Sequence, residues 1–583
     1  MNNQSKRLYF VALALLILLL AACQTAAPET VASPTDPILE PTESVAATEE
    51  PLATEELAAT EEMAATEEPA ATEEPDVEEP LVVLIDNDEG PITPANYNTF
   101  IGLWMVGWVY DSLFIRTPDL STVPHLATSA TPSEDGLTWT VTLRDDVLWH
   151  DGEPFTAEDV VFSYDFLLEA GRAPGLTNVT EVQAVGEHEL EITLSSPNPF
   201  FLEEGLAATY IMPAHIWENE TPISGELSQF QGLIGTGAYK LVDVVPGESY
   251  AFEANDDYFR GQPTVPSIIA KVVKDRTQQF NQLQSGAASA VLSSVPPALV
   301  EQLSENPDVS LLQGSDFFNY ILYANGSKAP FDIPEVRQAI SLAVDTDLLV
   351  ENVLLGQGTA LPQNWYHPEL PWSIDVPHEF DPEQAASLLD QAGLVDSDGD
   401  GVREFNGAPA EYTILCDVNN PVEVRTTELI GQMLGDVGLS VTQRCQDIDT
   451  SVAEIWPNFV AVPDPAYDLA IWGWSAIPQF RHGFIRGLFN CDFGGTGWGN
   501  LTGVCDEEFD SLLDEFTSLA DLSRVDELSQ GFQERFVEIT PWVPLMSPNG
   551  NFAYVPEDYD GWVYLNGNGI MTVWSFLPPE ASN

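Results

Sequence analysis

Hydrophobic and polar positions alternate strictly over residues 137–143, and the period of the pattern changes soon afterwards. Four apolar residues are separated by threonines, which is typical of a strand with one buried face: Leu137, Trp139, Val141 and Leu143. Asp151-Gly152 predicts a turn, because glycine adopts positive φ without steric cost. Thr156 and Asp159 have the spacing of a capping box, and Gly171 is placed to end the helix that follows. The apolar face of that helix consists of Val160, Val161, Tyr164, Leu167 and Leu168.

Similar patterns extend over the rest of the chain. Strands are predicted at residues 81–85, 317–326, 411–415, 439–442 and 468–475. Helices are predicted around residues 211–217 and over 381–393, 422–437, 509–516 and 525–540. A further helix follows Pro330-Phe331, with its apolar face formed by Ile340, Ala343, Val344 and Leu348. Alternating strands and helices predict the α/β class, and the strand–helix–strand unit at 411–442 predicts two adjacent parallel strands.

The amino terminus predicts export. Residues 8–20 are almost unbroken apolar sequence behind Lys6 and Arg7, too short for a membrane-spanning helix of the mature protein. The segment ends in Leu20-Ala21-Ala22-Cys23, which resembles a bacterial lipobox. The resemblance implies cleavage before Cys23 and acylation of this residue, so that several acyl chains anchor the protein durably. Generic secretory cleavage nearby is the alternative.

Residues 24–80 are predicted to form a disordered acidic stalk. A unit close to Ala-Ala-Thr-Glu-Glu-Pro recurs between Ala46 and Pro75, and proline at the repeat ends argues against a continuous helix. Seventeen Asp and Glu residues and no Lys or Arg lie in this segment. Because such a composition cannot bury a core and the carboxylates repel one another, the segment is expected to hold the folded body away from the lipid.

Length and charge limit the possible functions. A chain of 583 residues is too long for one core and indicates several domains. The net charge is −73, and the part after the stalk keeps 75 acidic against 17 basic residues. Such a surface repels phosphate backbones, so no nucleic-acid partner is expected. Solubility or adaptation to salt explains the charge more simply than attraction of a cationic solute.

The cysteines form an even set once Cys23 is assigned to the leader. Four cysteines allow three pairings, and unpaired buried thiols are the competing explanation. Proximity in the predicted topology favours Cys416–Cys445, on the two parallel strands predicted at 411–442, and Cys491–Cys505.

One segment has the opening of a calcium loop. Asp396, Asp398 and Asp400 alternate ahead of Gly401, so their carboxylates can converge on one cation. The twelfth position is Gly407 instead of the expected glutamate, and an acidic surface turn held by side-chain-to-backbone hydrogen bonds is the leading interpretation. No cofactor is expected beyond this possible structural Ca²⁺. The chain contains no GxSxG or HExxH motif, and no enzymatic activity is expected.

Several segments, taken in order, resemble the family 5 solute-binding proteins of ABC importers, which bind peptides or nickel. They are LRDDVLWHDGEPFTAEDVVFSYDFLLEAG, GTGAYKL from Gly235, NDDYFRGQP from Asn255, the segment that begins at Pro330, LAIWGWS before Ala476, and PWVPL from Pro541. The resemblance covers nearly everything from Leu81 to the end. It implies a two-lobed periplasmic-binding-protein-like fold, type II or cluster C, with a subdomain inserted in the first lobe. The implied boundaries are 81–117, 232–316 and 546–583 for lobe I, 118–231 for the inserted subdomain, and 317–545 for lobe II.

The same resemblance implies a solute-binding lipoprotein that closes two lobes around an oligopeptide. It would hand this solute to an ABC permease and ATPase, as a monomer lipid-anchored at the outer face of the cytoplasmic membrane or in the cell envelope or periplasm. The residues implied at the ligand are Trp474, Ser475, Ile477, Tyr110, Asp111, Asn319 and Tyr320. Ile477 stands where peptide-binding members commonly have an aspartate for the α-ammonium group, which puts that contact in doubt. The alternatives are a sensor or adhesin, an importer receptor for a sugar or metal complex, and an anchored hydrolase.

Overall fold

A computed structural model describes residues 79–97, 99–219, 233–456, 466–491 and 499–578. The leader, Cys23 and nearly all of the predicted stalk therefore lie outside the described residues. None of the helices in these ranges is long and apolar enough to cross a membrane.

Twenty strands and fourteen α-helices are formed by the described residues. The strands are β1 (Leu81–Ile85), β2 (Phe114–Arg116), β3 (Thr122–Pro124), β4 (Ala127–Pro132), β5 (Thr138–Leu143), β6 (Val179–Gly186), β7 (Glu189–Leu194), β8 (Tyr239–Val245), β9 (Ser249–Ala254), β10 (Ser267–Val272), β11 (Ala290–Val291), β12 (Ser310–Ser315), β13 (Asn319–Ala324), β14 (Gly358–Ala360), β15 (Glu404–Phe405), β16 (Ala408–Pro409), β17 (Glu411–Asp417), β18 (Ser440–Gln446), β19 (Leu469–Trp474) and β20 (Val543–Tyr554).

The helices are α1 (Phe100–Val109), α2 (Ala157–Glu169), α3 (Ala214–Trp217), α4 (Arg276–Gln284), α5 (Pro297–Ser304), α6 (Pro334–Ala343), α7 (Thr346–Val353), α8 (Pro382–Gln391), α9 (Pro421–Asp436), α10 (Ile448–Ile455), α11 (Ile477–Phe480), α12 (His482–Phe489), α13 (Glu507–Thr517) and α14 (Val525–Ile539). A single π-helical turn covers Leu202–Leu206.

One long strand, β20, joins two halves of the main sheet. Its first part pairs with β13 and β14 and its last part with β11 and β12. The first half of the sheet, which we call the lobe I sheet, contains β8, β9, β10, β1, β11 and β12. The lobe II sheet contains β18, β17, β19, β13 and β14. The chain passes between the two halves at residues 316–318 and again within β20.

A separate four-stranded antiparallel sheet, β4-β5-β7-β6, lies within the range predicted for the inserted subdomain. Trp139, Val141 and Leu143 are buried on β5, as the alternating pattern predicts. Gly152 has φ +91° at the predicted turn, and the Asp159 carboxylate accepts a hydrogen bond from the Thr156 N–H at 2.9 Å. The strand, turn and helix predicted here are confirmed. The domain boundaries stay predictions.

The elements predicted in lobe II are also confirmed, with one correction. Strands β17 and β18 are parallel and joined by α9, and Asp381 caps α8 by accepting a hydrogen bond from the Gln384 N–H. The single apolar face predicted after Pro330 is wrong, because α6 ends at Ala343 and a new helix, α7, carries Leu348. The break occurs at Asp345, whose carboxylate accepts a hydrogen bond from the Leu348 N–H and so starts the second helix.

Candidate functional site

A cavity of about 500 Å³ is lined by α1, β2 and the π-helical turn on one side and by the segment from Ser475 to Arg481 after β19 on the other. The volume falls in the range of sites for small solutes. Seven aromatic side chains line it: Tyr97, Trp104, Tyr110, Tyr210, Phe318, Phe480 and Trp574. Its charged lining consists of Arg116, Arg172, Arg481, Asp111, Glu203, Glu204 and Asp316. The wall therefore combines flat apolar faces with charges of both signs.

The two lobes touch each other around this cavity. The Gly483 N–H of α12 donates to the Glu204 carboxylate in the π-helical turn, at 2.9 Å. The Arg116 guanidinium at the end of β2 lies 3.8 Å from the ring centroid of Phe480 in α11. Ring centroids of Phe200 and His482 are 4.1 Å apart. Contacts of this kind across the gap describe a closed arrangement of the lobes.

Asp111 follows α1 and is held by three hydrogen bonds. Its Oδ1 accepts from His125 Nε2 at 2.7 Å and from the Tyr258 hydroxyl at 3.0 Å, and its Oδ2 accepts from the Thr236 hydroxyl at 2.8 Å. The Arg260 Nε–H donates to His125 Nδ1 at 2.8 Å, so the His125 proton is on Nε2 and points to the carboxylate. Asp111 is only 2% exposed.

These hydrogen bonds and the burial of the site determine how Asp111 and His125 ionise. Burial alone would raise the pKa of Asp111, but the interaction with His125 and the hydrogen bonds from Thr236 and Tyr258 bring it below its ordinary value. Burial lowers the pKa of His125, against the opposing effect of Asp111. Asp111 is therefore a carboxylate whose two oxygens are occupied by the protein itself, which makes it an anchor of the cavity wall.

Gly235 and Gly237 let the chain approach α1 closely enough to bring Thr236 to Asp111. A Cβ atom at Gly235 would lie 1.7 Å from the Val109 carbonyl oxygen, and one at Gly237 would lie 2.4 Å from that of Trp108. The Gly237 N–H donates to the Val109 carbonyl at 2.9 Å. Close backbone contact is therefore the requirement for glycine at both positions.

Burial changes the ionisation of three other acidic groups in the wall. It raises the pKa of Glu204 to about 7, against the opposing Gly483 N–H, and the pKa of Asp316 to about 6. It also raises the pKa of Glu203. Asp316 precedes the crossing into β13 and has no hydrogen-bond partner among the described residues. These carboxyl groups ionise less readily than ordinary ones at neutral pH.

The residues predicted at the ligand fall into two sets. Tyr110, Asp111 and Ser475 line the cavity, and Ile477 is the first residue of α11. Trp474, Asn319 and Tyr320 do not line it. The Trp474 Nε1–H donates to the Tyr323 hydroxyl at 2.8 Å, and both side chains belong to the same buried hydrophobic cluster of lobe II. A contact with ligand stays a prediction for every member of both sets.

Asn319 and Tyr320 are placed by β13. The Asn319 Nδ2–H donates to the Trp365 carbonyl at 3.5 Å, and the Tyr320 hydroxyl accepts from Asn420 Nδ2 at 3.4 Å near the start of α9. Both side chains are buried. Sequence reasoning missed Arg116, Arg481, Glu203 and Glu204, which lie on short or irregular elements without a periodic pattern. Only the rarity of basic residues in so acidic a chain pointed toward the arginines.

The predicted calcium loop brings four carboxylates together. Ligand atoms of Asp396, Asp398, Asp400 and Glu404 lie within 4.8 Å of one another. Asp396 accepts hydrogen bonds from the N–H groups of Gly399 and Gly401, as the turn interpretation predicts. Glu404, at the ninth position, was not expected. Binding of Ca²⁺ stays a prediction.

The structure brings both predicted cysteine pairs to disulfide distance. Cys416 and Cys445 are register partners on β17 and β18, with their Cα atoms 4.4 Å apart. The Cα atoms of Cys491 and Cys505 are 5.4 Å apart. The parallel pairing that favoured the first pair is therefore present.

Residues 121–496 match the family model described as bacterial extracellular solute-binding proteins, family 5 Middle. The chain belongs to this family. It is 26% identical over 468 residues to oligopeptide-binding protein AppA of Bacillus subtilis (strain 168), covering 78% of this chain and 83% of AppA. It is 29% identical over 365 residues to the nickel-binding periplasmic protein of Escherichia coli (strain K12), covering 60% and 68%.

A solved structure supports the fold. NikA from Brucella suis, in complex with Fe(III)-EDTA, superposes with a TM-score of 0.75 at 22% identity, covering 86% of this chain and all of NikA. The two-lobed α/β fold of periplasmic binding proteins is thereby confirmed. As predicted, this family 5 member is a solute-binding protein of an ABC importer, and its relatives are not enzymes.

Proposed function

We propose that this protein captures a short peptide between its lobes and delivers it to an ABC permease and ATPase complex. The observation that carries the proposal is the cavity of about 500 Å³, whose wall includes Tyr110, Arg116 and Trp574 from one side and Ser475 and Phe480 from the other. A solute that contacts both sides favours the closed arrangement, because it binds that arrangement more tightly than the open one. The passages at residues 316–318 and within β20 are the places where a hinge is expected.

A peptide is the proposed solute for two reasons. The relative AppA is named an oligopeptide-binding protein, although another relative is named a nickel-binding protein. The cavity wall has aromatic faces for side chains and charged groups of both signs for a zwitterion. Since Asp111 is occupied by its own hydrogen bonds, Asp316 is the acidic group that we propose for the α-ammonium of a peptide.

Lipid anchoring at Cys23 belongs to the same proposal. The Leu20-Ala21-Ala22-Cys23 sequence supports acylation, and the acidic segment that follows supports a stalk between the lipid and the lobes. The protein would then be a monomer at the outer face of the cytoplasmic membrane or in the cell envelope. Membrane fractionation of wild type and Cys23→Ala tests the anchor: we expect Cys23→Ala to move to the soluble fraction, and retention on the membrane would contradict it.

Binding measurements test the solute. We expect a tripeptide library to raise the melting temperature of the protein and to give saturable heats by calorimetry, while sugars and free Ni²⁺ give no response. Ala208→Trp, which fills part of the cavity, should abolish the response, and Ala287→Trp at an exposed position far along the chain is the matched control. A response to sugars or metal and none to peptides would overturn the peptide proposal.

A further inference from the structure

The arginines of this protein differ in whether they have a polar partner, and this difference follows their location. Thirteen arginines lie in the described ranges, and ten form an ion pair or a side-chain hydrogen bond with another described residue. The other three have neither within the described part of the chain. These three, Arg116, Arg172 and Arg481, are the ones that line the cavity. In a chain with a net charge of −73, cations without an acidic partner are unexpected unless something else binds them.

Two of these arginines line the cavity from opposite lobes, and the Arg116 guanidinium stacks on Phe480, the residue before Arg481. Arg116 belongs to β2 and its backbone carbonyl accepts a hydrogen bond from the Trp574 indole at 2.8 Å, which fixes the strand end. Arg481 precedes α12 in lobe II. Burial lowers the pKa of Arg116 to about 10, and the nearby positive charge of Arg481 acts in the same direction. Burial also lowers the pKa of Arg481.

The neighbouring acidic groups do not neutralise this pair completely. Glu203 attracts Arg116 and Glu204 attracts Arg481, but neither carboxylate forms an ion pair with its neighbour. Glu204 instead accepts the Gly483 N–H, and burial raises its pKa to about 7. Two like charges that approach on closure repel each other more strongly when they lose water. An anion that lies between them is therefore expected to stabilise the closed arrangement.

We propose that Arg116 and Arg481 bind the α-carboxylate of the peptide together, one arginine from each lobe, and that this carboxylate stabilises the closed arrangement. The proposal rests on the peptide-binding function proposed above. A guanidinium suits the task because its planar set of N–H donors matches the two oxygens of a carboxylate. The stacking of Arg116 on Phe480 fixes the plane of its guanidinium group.

The test compares peptides that differ only at the carboxyl terminus. Calorimetric titrations of the full chain use a tripeptide library with free carboxylates and the same library as carboxamides, at equal salt concentration. We expect wild type to bind the free carboxylates at least about tenfold more tightly. Arg116→Gln and Arg481→Gln should each reduce this preference to about threefold or less. Arg425→Gln, on the exposed side of α9, should keep it.

The possible outcomes separate this proposal from the function on which it rests. Equal binding of both libraries to wild type, or an unchanged preference in both variants, overturns the carboxylate proposal and leaves the peptide receptor standing. No binding of either library overturns both. Thermal unfolding of each variant shows whether it is folded, and Arg116→Lys, which keeps the charge without the planar donors, should retain an intermediate preference.

Discussion

Substitution of Asp111 by Asn distinguishes a structural role from a ligand contact. The carboxylate is buried and accepts hydrogen bonds from His125, Thr236 and Tyr258 at 2.7, 2.8 and 3.0 Å. Hydrogen bonds to a charged group contribute about 1.5–3 kcal/mol each. Because the amide retains one acceptor oxygen, we expect Asp111→Asn to lower the free energy of unfolding by about 3–5 kcal/mol.

Calorimetry can measure this loss directly. Unfolding entropy is about 2 cal/mol/K per residue, so for a cooperative body of about 500 residues each kcal/mol corresponds to about 1 °C. Asp111→Asn should therefore melt about 3–5 °C below wild type. Asp257→Asn, at an exposed position, should have the same melting temperature as wild type. The affinity of the folded variant for peptide should change by less than about threefold.

The opposite pattern would rule out a purely structural role for Asp111. If Asp111→Asn melted within about 1 °C of wild type but bound peptide at least about tenfold more weakly, Asp111 would act on the solute and its hydrogen bonds would contribute little.

Three other changes give measurable outcomes. The Glu204 pKa, raised by burial from 4.5 to about 7, means that the folded state binds more protons than the unfolded state in this window, so stability falls as pH rises from about 4.5 to 7. When the free energy of unfolding is measured with urea across this pH window, Glu204→Gln should remove about 2–3 kcal/mol of the fall. The same pH dependence in the variant and the wild type would contradict this expectation. Replacing Cys416 and Cys445 by serine should cost about 3–4 kcal/mol of stability, the chain-entropy value for a separation of 29 residues, and an unchanged melting curve under non-reducing conditions would exclude the bond. Removing Ca²⁺ with EDTA should leave the melting temperature unchanged, because backbone N–H groups already hold Asp396, whereas a Ca²⁺-dependent rise that Asp398→Asn abolishes would demonstrate a cation site.

Local patterns predicted the elements that hydrophobic periodicity controls. The alternation around Trp139, the cap at Asp381 and the strand–helix–strand unit that brings Cys416 to Cys445 are all present. The spacing of apolar residues wrongly predicted one helix where the structure has α6 and α7. The apolar pattern continues past Asp345, but the Asp345 carboxylate starts a new helix there. A capping residue inside an apolar pattern was the signal for that break.

The cavity was less predictable than the fold, since its wall is assembled from distant segments. Arg116 and Arg481 are far apart in sequence, and neither belongs to a periodic pattern. Trp474 was expected in the cleft, but strand geometry turns its indole toward Tyr323 in the core. Asp111 lines the cavity, and its three hydrogen-bond partners come from separate loops, one of which approaches α1 through Gly235 and Gly237. Contacts between residues so far apart in the sequence depend on tertiary packing, and no local sequence pattern predicts them.

A crystal structure of the protein grown with a tripeptide from the tightest-binding members of the library would show whether the cavity holds the solute. We expect the peptide in the cavity between Tyr110 and Phe480, touching both lobes, with its carboxylate between Arg116 and Arg481. A peptide bound elsewhere, or a cavity filled by the protein's own side chains when peptide is saturating, would contradict it.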